Sequence, residues 1–182
     1  MQNSMLERES LNDYSAKVFD YLKKNHPELL EFSKIYKSDF GKNYLSIEIE
    51  TPNKESASNL ILDTEDDQIT IGFHCFHSHF DNFNELDFEN EIKSATNIFN
   101  KILNEELLIV SGELMTVTEV DNLEKGELVG KTNREKINYY VVSWSGKYDK
   151  EFENLNFINY SMKRMKSEKS IGILTRIKKM FS

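Results

Sequence analysis

Cysteine, proline and glycine are scarce in this chain of 182 residues, which has one Cys, two Pro and seven Gly. The single thiol, Cys75, closes no disulfide within the chain, so a reducing compartment is expected. So few Pro and Gly exclude linker and low-complexity architectures. No hydrophobic run approaches the roughly 18 residues that read as a membrane span. The opening stretch MQNSMLERESLNDYS has no apolar signal core, and a cytoplasmic location is the expectation. Neither G-x-G-x-x-G nor G-x-x-x-x-G-K-[ST] occurs, which removes the two glycine-rich phosphate cradles.

What is present is a core-forming payload and a skewed charge. Hydrophobic residues make up 38% of the chain, including 12 Phe, 8 Tyr and one Trp, enough to fill the interior of a domain of this length. The net charge is −8. Residues 162–182 hold seven Lys or Arg and one Glu, a balance of +6, which leaves −14 on residues 1–161. An acidic body is poorly suited to wrapping nucleic acid and well suited to meeting a basic protein.

Periodicity predicts the elements. Ser10, with Asp13 three residues on, resembles a capping box ahead of a helix carrying Tyr14, Val18, Tyr21 and Leu22. Pro27 suits the first turn of a second short helix with Leu30, Phe32 and Tyr36. YLSIEIETP alternates, with Leu45, Ile47 and Ile49 on one face and Ser46, Glu48 and Glu50 on the other. SNLILDTEDDQITIGFHCF reads as two further strands joined by an acidic turn near Glu65–Gln68, completing an antiparallel meander. Phe88, Ile92, Ala95, Phe99 and Leu103 mark a helix, with Asn84 or Asp87 as its N-cap. LLIVSGELMTVTEV is expected to be a strand kinked at Gly112, and INYYVVSWSGKYD another strand.

Strands in runs, separated by a helix rather than alternating with helices, predict an α+β fold. Its expected form is a mainly antiparallel sheet with helices packed on one face, N-terminal helices and a basic C-terminal helix. Residues 1–161 are expected to form a single domain, with 162–182 an amphipathic helix docked on it. The basic face of that helix, Arg176, Lys178 and Lys179, can also meet an anionic membrane.

The densest chemistry lies in HCFHSHFD, residues 74–81, with three of the four His and the only Cys. A strand running on through residue 79 would put Phe73, Cys75, His77 and His79 on one face and His74, Phe76, Ser78 and Phe80 on the other. Cys75, His77, His79 and Asp81 are then the candidate zinc ligands. HSHFD resembles the H-x-H-x-D part of the metallo-β-lactamase motif. Asn82 stands where that family has another His, and no His follows His79, so the match stops there. A His pair can also serve as general base and general acid. The alternative is that these His are strand-end and loop residues held within the structure. No catalytic residue, cofactor or metal is assigned from the sequence.

Two other stretches point outward. DNFNELDFENE puts Asp81, Glu85, Asp87, Glu89 and Glu91 just after the histidines, interleaved with Phe80, Phe83 and Phe88, an acidic face with aromatic anchors. SWSGKYD holds Trp144 and Tyr148 as either core or contact residues, with Gly146 at a turn. Together, DTEDDQITIGF, FHSHFD and SWSGKYD give residues 43–150 a layout that resembles small bacterial toxin-immunity proteins. That resemblance implies a cytosolic, non-catalytic protein that binds one cognate toxin, often a basic nuclease, and covers its active site with carboxylates standing in for phosphates. His77, His79, Asp81, Phe83, Glu85, Asp87, Trp144 and Tyr148 are the expected contact residues. A metal- or His-dependent hydrolase centred on HCFHSHFD, and a peripheral membrane or adaptor protein using the C-terminal helix, are the alternatives.

Overall fold

A computed structural model of the chain describes residues 8–81, 87–111, 116–120 and 138–153. The fold is α+β, with two antiparallel sheets where the sequence pointed to one. The chain crosses several times between two compact units. One is made of Met1–Glu50, Asn59–Gly72 and His77–Thr96, and the other of Thr51–Ser58, Phe73–Phe76 and Asn97–Ser182.

The first unit begins with α1, Asp13–Asn25, and its cap is Asn12 rather than Ser10. The Asn12 side chain accepts the Ser15 N–H at 2.7 Å, filling one of the orphan donors of the first turn. Ser10 sits in a 3-10 turn ahead of the helix, Arg8–Ser10, and its carbonyl accepts from the Asn43 amide at 2.9 Å. Ala16, Val18, Phe19 and Leu22 form the buried stripe of α1. After it, Pro27–Phe32 makes only a 3-10 helix. Tyr36, expected on that helix, lies instead in the strand β1, Ser33–Lys37, where its ring stands 5.9 Å from Tyr44. Cross-strand packing has overridden the local helical spacing.

β1 pairs with β2 (Asn43–Ile49), β2 with β3 (Leu60–Asp63) and β3 with β4 (Ile69–Phe73), all antiparallel. β5, Phe76–Phe80, completes the order β1-β2-β3-β4-β5. The expected alternation of β2 holds: Leu45, Ile47 and Ile49 are fully buried, and with Leu60, Leu62, Ile69 and Ile71 they form the inner face. The register places Lys34, Ser46, Asp63 and Thr70 in one row across the opposite face.

Where β3 ends, the Thr64 hydroxyl uses its whole bonding capacity. It donates to the Leu45 carbonyl at 3.0 Å, and accepts from the Leu45 N–H at 3.0 Å and from the Ser15 hydroxyl at 2.6 Å. One buried side chain therefore ties α1, β2 and β3 together. The acidic turn expected near Glu65–Gln68 follows, a tight reversal in which the Gln68 N–H reaches the Glu65 carbonyl at 3.4 Å.

α2 spans Phe88–Leu103. Asp87 is its cap, with Oδ1 accepting the Asn90 N–H at 2.9 Å and the carbonyl accepting the Glu91 N–H at 3.0 Å. Asn84, the other candidate, lies outside the described residues. The helix closes in a Schellman arrangement, Glu106 N–H to Lys101 carbonyl at 2.8 Å and Glu105 N–H to Ile102 carbonyl at 3.0 Å. Glu105 takes the left-handed position at φ 59° that glycine usually fills.

In the second unit the sheet order is β7-β6-β8-β9, with β6 at Leu107–Ser111, β7 at Thr116–Glu119, β8 at Asn138–Val142 and β9 at Lys150–Glu153. The stretch expected to be one kinked strand is thus an antiparallel β6–β7 hairpin. INYYVVSWSGKYD ends its strand at Val142 and turns into β9. Leu107 to Val110 are all buried, the mark of a central strand covered on both faces. The C-terminal helix expected at 162–182 lies outside the described residues.

Replacing Thr64 with Val keeps the shape and removes the hydroxyl. The Leu45 N–H and Ser15 hydroxyl then lose a buried partner, and the expected cost is about 1–3 kcal/mol. Urea unfolding of Thr64→Val against the wild type measures it, and an unchanged midpoint would sink the idea.

Candidate functional site

The histidine stretch is a hairpin, not one strand. β4 stops at Phe73, His74 and Cys75 form a two-residue turn, and β5 starts at Phe76. His74 has φ 55°. That is unusual for a residue with a side chain, and His74 is held there at both ends. Its Nδ1 accepts the Ala57 N–H at 3.0 Å, and its carbonyl accepts from the Ser58 hydroxyl at 3.1 Å. His74 is therefore a turn residue with a structural task.

The turn corrects the facial assignment. With two residues between the strands, Gly72 stands opposite His77 and Thr70 opposite His79. His77 and His79 thus share a face with Thr70 and Asp63, while Phe73, expected beside them, is 1% exposed on the inner side. The cross-strand contact agrees: Thr70 Oγ1 lies 3.0 Å from His79 Nδ1. Both His are exposed, and their ring centres are 5.3 Å apart with planes at 68°. Cys75 is half-buried in the turn and Asp81 is exposed just past β5. Among the described residues no group of three His, Cys, Asp or Glu comes together at metal-binding separation. The four candidate ligands therefore do not converge.

A second group of acids draws on the two stretches read as acidic in the sequence, the turn near Glu65–Gln68 and residues 81–91, together with Asp63. Burial holds the Asp63 carboxyl above its ordinary range; Glu65 and Asp66 add to this, and the Glu65 N–H and His79 oppose it. Tyr14 donates to Glu91 Oε1 at 3.2 Å and packs edge-on against Phe88 at 5.8 Å. Burial raises the Tyr14 phenol, then Glu91, with Asp67 and Asp81 adding. Glu91, 5% exposed, is itself raised by burial, against the Tyr14 hydrogen bond and with Asp81 adding. Asp67, Asp81 and Glu91 come from the β3–β4 turn, the end of β5 and α2, yet all act on one phenol. The pull of alternation could have placed Asp63 and Thr70 on one face. The Tyr14–Glu91 pair, 77 residues apart, leaves no local signal.

Asp66 and Asp67 are exposed on the tip of the acidic turn, with φ 57° and 56°. Asp tolerates this region better than most side chains. Lys42 reaches Asp67 at 3.2 Å. Phe40, in the β1–β2 turn, is 84% exposed and was not singled out in the sequence. Asp87 is exposed at the start of α2, where its carboxylate is engaged as the cap. Phe83 and Glu85 lie outside the described residues, as do Arg176, Lys178 and Lys179.

In the second unit, Trp144 is 1% exposed and its ring lies 5.7 Å from Phe73. Of the two roles open to it, the structure gives it the core, and it has no surface for a partner. Its neighbours form a rigid turn. Asp149 Oδ1 accepts the Ser143 N–H at 2.7 Å and the Ser143 hydroxyl at 3.0 Å, and the Asn53 amide donates to Asp149 Oδ2 at 2.8 Å and to the Ser143 carbonyl at 2.9 Å. Gly146 suits this turn because its φ of 82° is a backbone conformation that residues with a Cβ rarely adopt. The turn presents Tyr148, half-buried, with Lys147 Nζ 2.8 Å from its hydroxyl and 4.5 Å from its ring centre.

No family model, curated protein or solved structure matches the chain. Among the described residues no helix is long and apolar enough to cross a membrane.

The sign of the Asp63 effect is testable. A carboxyl raised on folding gives up its proton first in the unfolded chain. Stability therefore falls as pH rises from the unfolded value through the raised folded one, and the penalty persists at neutral pH. Asp63→Asn keeps an oxygen for the Glu65 N–H, which Asp63 Oδ1 now accepts at 3.3 Å, and removes the charge. Its urea midpoint is expected to exceed that of the wild type at pH 7 and to match it near pH 3. A lower midpoint at pH 7 would refute the assignment.

Proposed function

We propose that this chain is a non-catalytic bacterial binding protein, an immunity protein that neutralises a cognate toxin by laying an acidic face over the toxin's active or basic surface. The observation that carries this reading is the set of exposed carboxylates Asp66, Asp67 and Asp81, with the buried Glu91 held by the Tyr14 hydroxyl at 3.2 Å. Carboxylates gathered from three separate segments make a field that attracts a cationic surface from a distance and fixes its orientation on arrival. The −14 balance of residues 1–161, left by the −8 of the whole chain and the +6 of its tail, extends the field. The resemblance to toxin-immunity proteins supports the same reading, with a basic nuclease as the favoured partner and a cytoplasmic site of action. His77, His79 and Asp81 lie beside the acidic cluster, and Tyr148 belongs to a second, rigid turn suited to contact.

A metal- or His-dependent hydrolase is the second reading. It is favoured by the exposed His77–His79 pair, whose rings lie within the reach of one small substrate group. The membrane or adaptor reading rests on Arg176, Lys178 and Lys179 and gains no support from the described residues.

The test is co-expression with a candidate basic toxin, taken from the genes adjacent to this one if any encodes such a protein, followed by purified binding kinetics at two salt concentrations. The triple variant Asp66→Asn/Asp67→Asn/Asp81→Asn suits the left-handed turn positions, because Asn tolerates them as Asp does. Protection is expected to weaken, association to slow by about tenfold or more, and its salt dependence to flatten. Full protection with unchanged association would overturn the acidic-face reading. Hydrolytic activity lost in His77→Ala would replace it with the second.

A further inference from the structure

His77 and His79 project side by side from β5, both exposed, with ring centres 5.3 Å apart. Two imidazoles bound to one tetrahedral ion, each nitrogen about 2.0–2.1 Å from the metal, place their ring centres about 5.2 Å apart. The rings already stand at the separation that shared coordination requires. The Thr70 hydroxyl lies 3.0 Å from His79 Nδ1, the nitrogen nearer the backbone, which leaves Nε2 as the nitrogen for a ligand. A hydrogen bond of this kind on the far nitrogen is what fixes tautomer and ring orientation in metal-binding histidines.

We propose that His77 and His79 together bind one borderline divalent cation, zinc or its neighbours nickel and copper, with Thr70 orienting His79 and solvent filling the remaining positions. Imidazole is the ligand type these ions favour, and a strand's two-residue repeat delivers both rings to the same side. The Asp63 carboxylate lies within electrostatic reach of His79 and favours a cation there. No third His, Cys, Asp or Glu joins the pair among the described residues. The site is therefore open and exchangeable, unlike a closed four-ligand structural centre. Its test does not depend on the toxin-binding reading, because the cation is titrated into this chain alone.

Calorimetric titration of the full chain with zinc alone, after chelator treatment, tests it. One zinc per chain is expected for the wild type, no measurable binding for His77→Ala or His79→Ala, and affinity reduced by about tenfold for Thr70→Val. Circular dichroism checks that each variant is folded. Copper-induced broadening of amide resonances, confined to residues around 76–80 in the wild type, gives a readout that needs no variant. Zinc bound equally well by either alanine variant, absence of binding by the folded wild type, or broadening centred elsewhere would each overturn the proposal.

Discussion

The Thr64 hydroxyl sets the geometry of the first unit. By bonding both backbone groups of Leu45 and the hydroxyl of Ser15, it fixes where β3 ends relative to β2 and where α1 lies on both. The β2–β3 register that follows decides which side chains face inward. Asp63, adjacent to Thr64, is thereby committed to the outer face with Thr70, and the pairing of β4 with β5 carries the commitment on to His79. A saturated polar group in an apolar interior is well suited to this task, because any other register strands its partners without bonds.

Much of this was legible in the sequence. The alternation of Leu45, Ile47 and Ile49, the acidic turn, and the spacing of Phe88 to Leu103 all gave elements that the structure contains. The failures have a common cause. Tyr36 fits a helical spacing from Leu30 and Phe32, yet its partner is Tyr44 across a strand pair. The single strand expected from Leu107 to Val120 folds back on itself, and the sheet in which it was placed proved to be two. Pairing between distant segments decides such cases, and single-sequence periodicity carries only local information.

The candidate site was legible in composition and not in arrangement. His77 and His79 were correctly placed on one face as neighbours two apart, but in the wrong company, because the turn at His74 and Cys75 has none of the usual turn residues. The same habit runs through the molecule. Asp66, Asp67, His74 and Glu105 all adopt left-handed backbone angles that glycine would accept without strain. At His74 and Glu105 the side chain makes compensating bonds, with Ala57 in the first case and with the Ser145 N–H and hydroxyl, at 2.9 and 2.5 Å, in the second. A chain with few glycines can therefore still turn tightly, provided neighbouring segments hold the strained residues in place.

The two-residue hairpin between Phe73 and Phe76 also makes the outer surface a matter of parity. A strand presents odd and even positions to opposite sides, so a slip of one residue in the pairing of β5 with β4 would exchange the sides of everything from Phe76 to Phe80. Phenylalanines would then meet water, and imidazoles would meet the apolar layer formed by Ile69 and Ile71. A slip of two residues would restore the original assignment. The chemistry of its surface is thus set by pairing register as well as by residue identity.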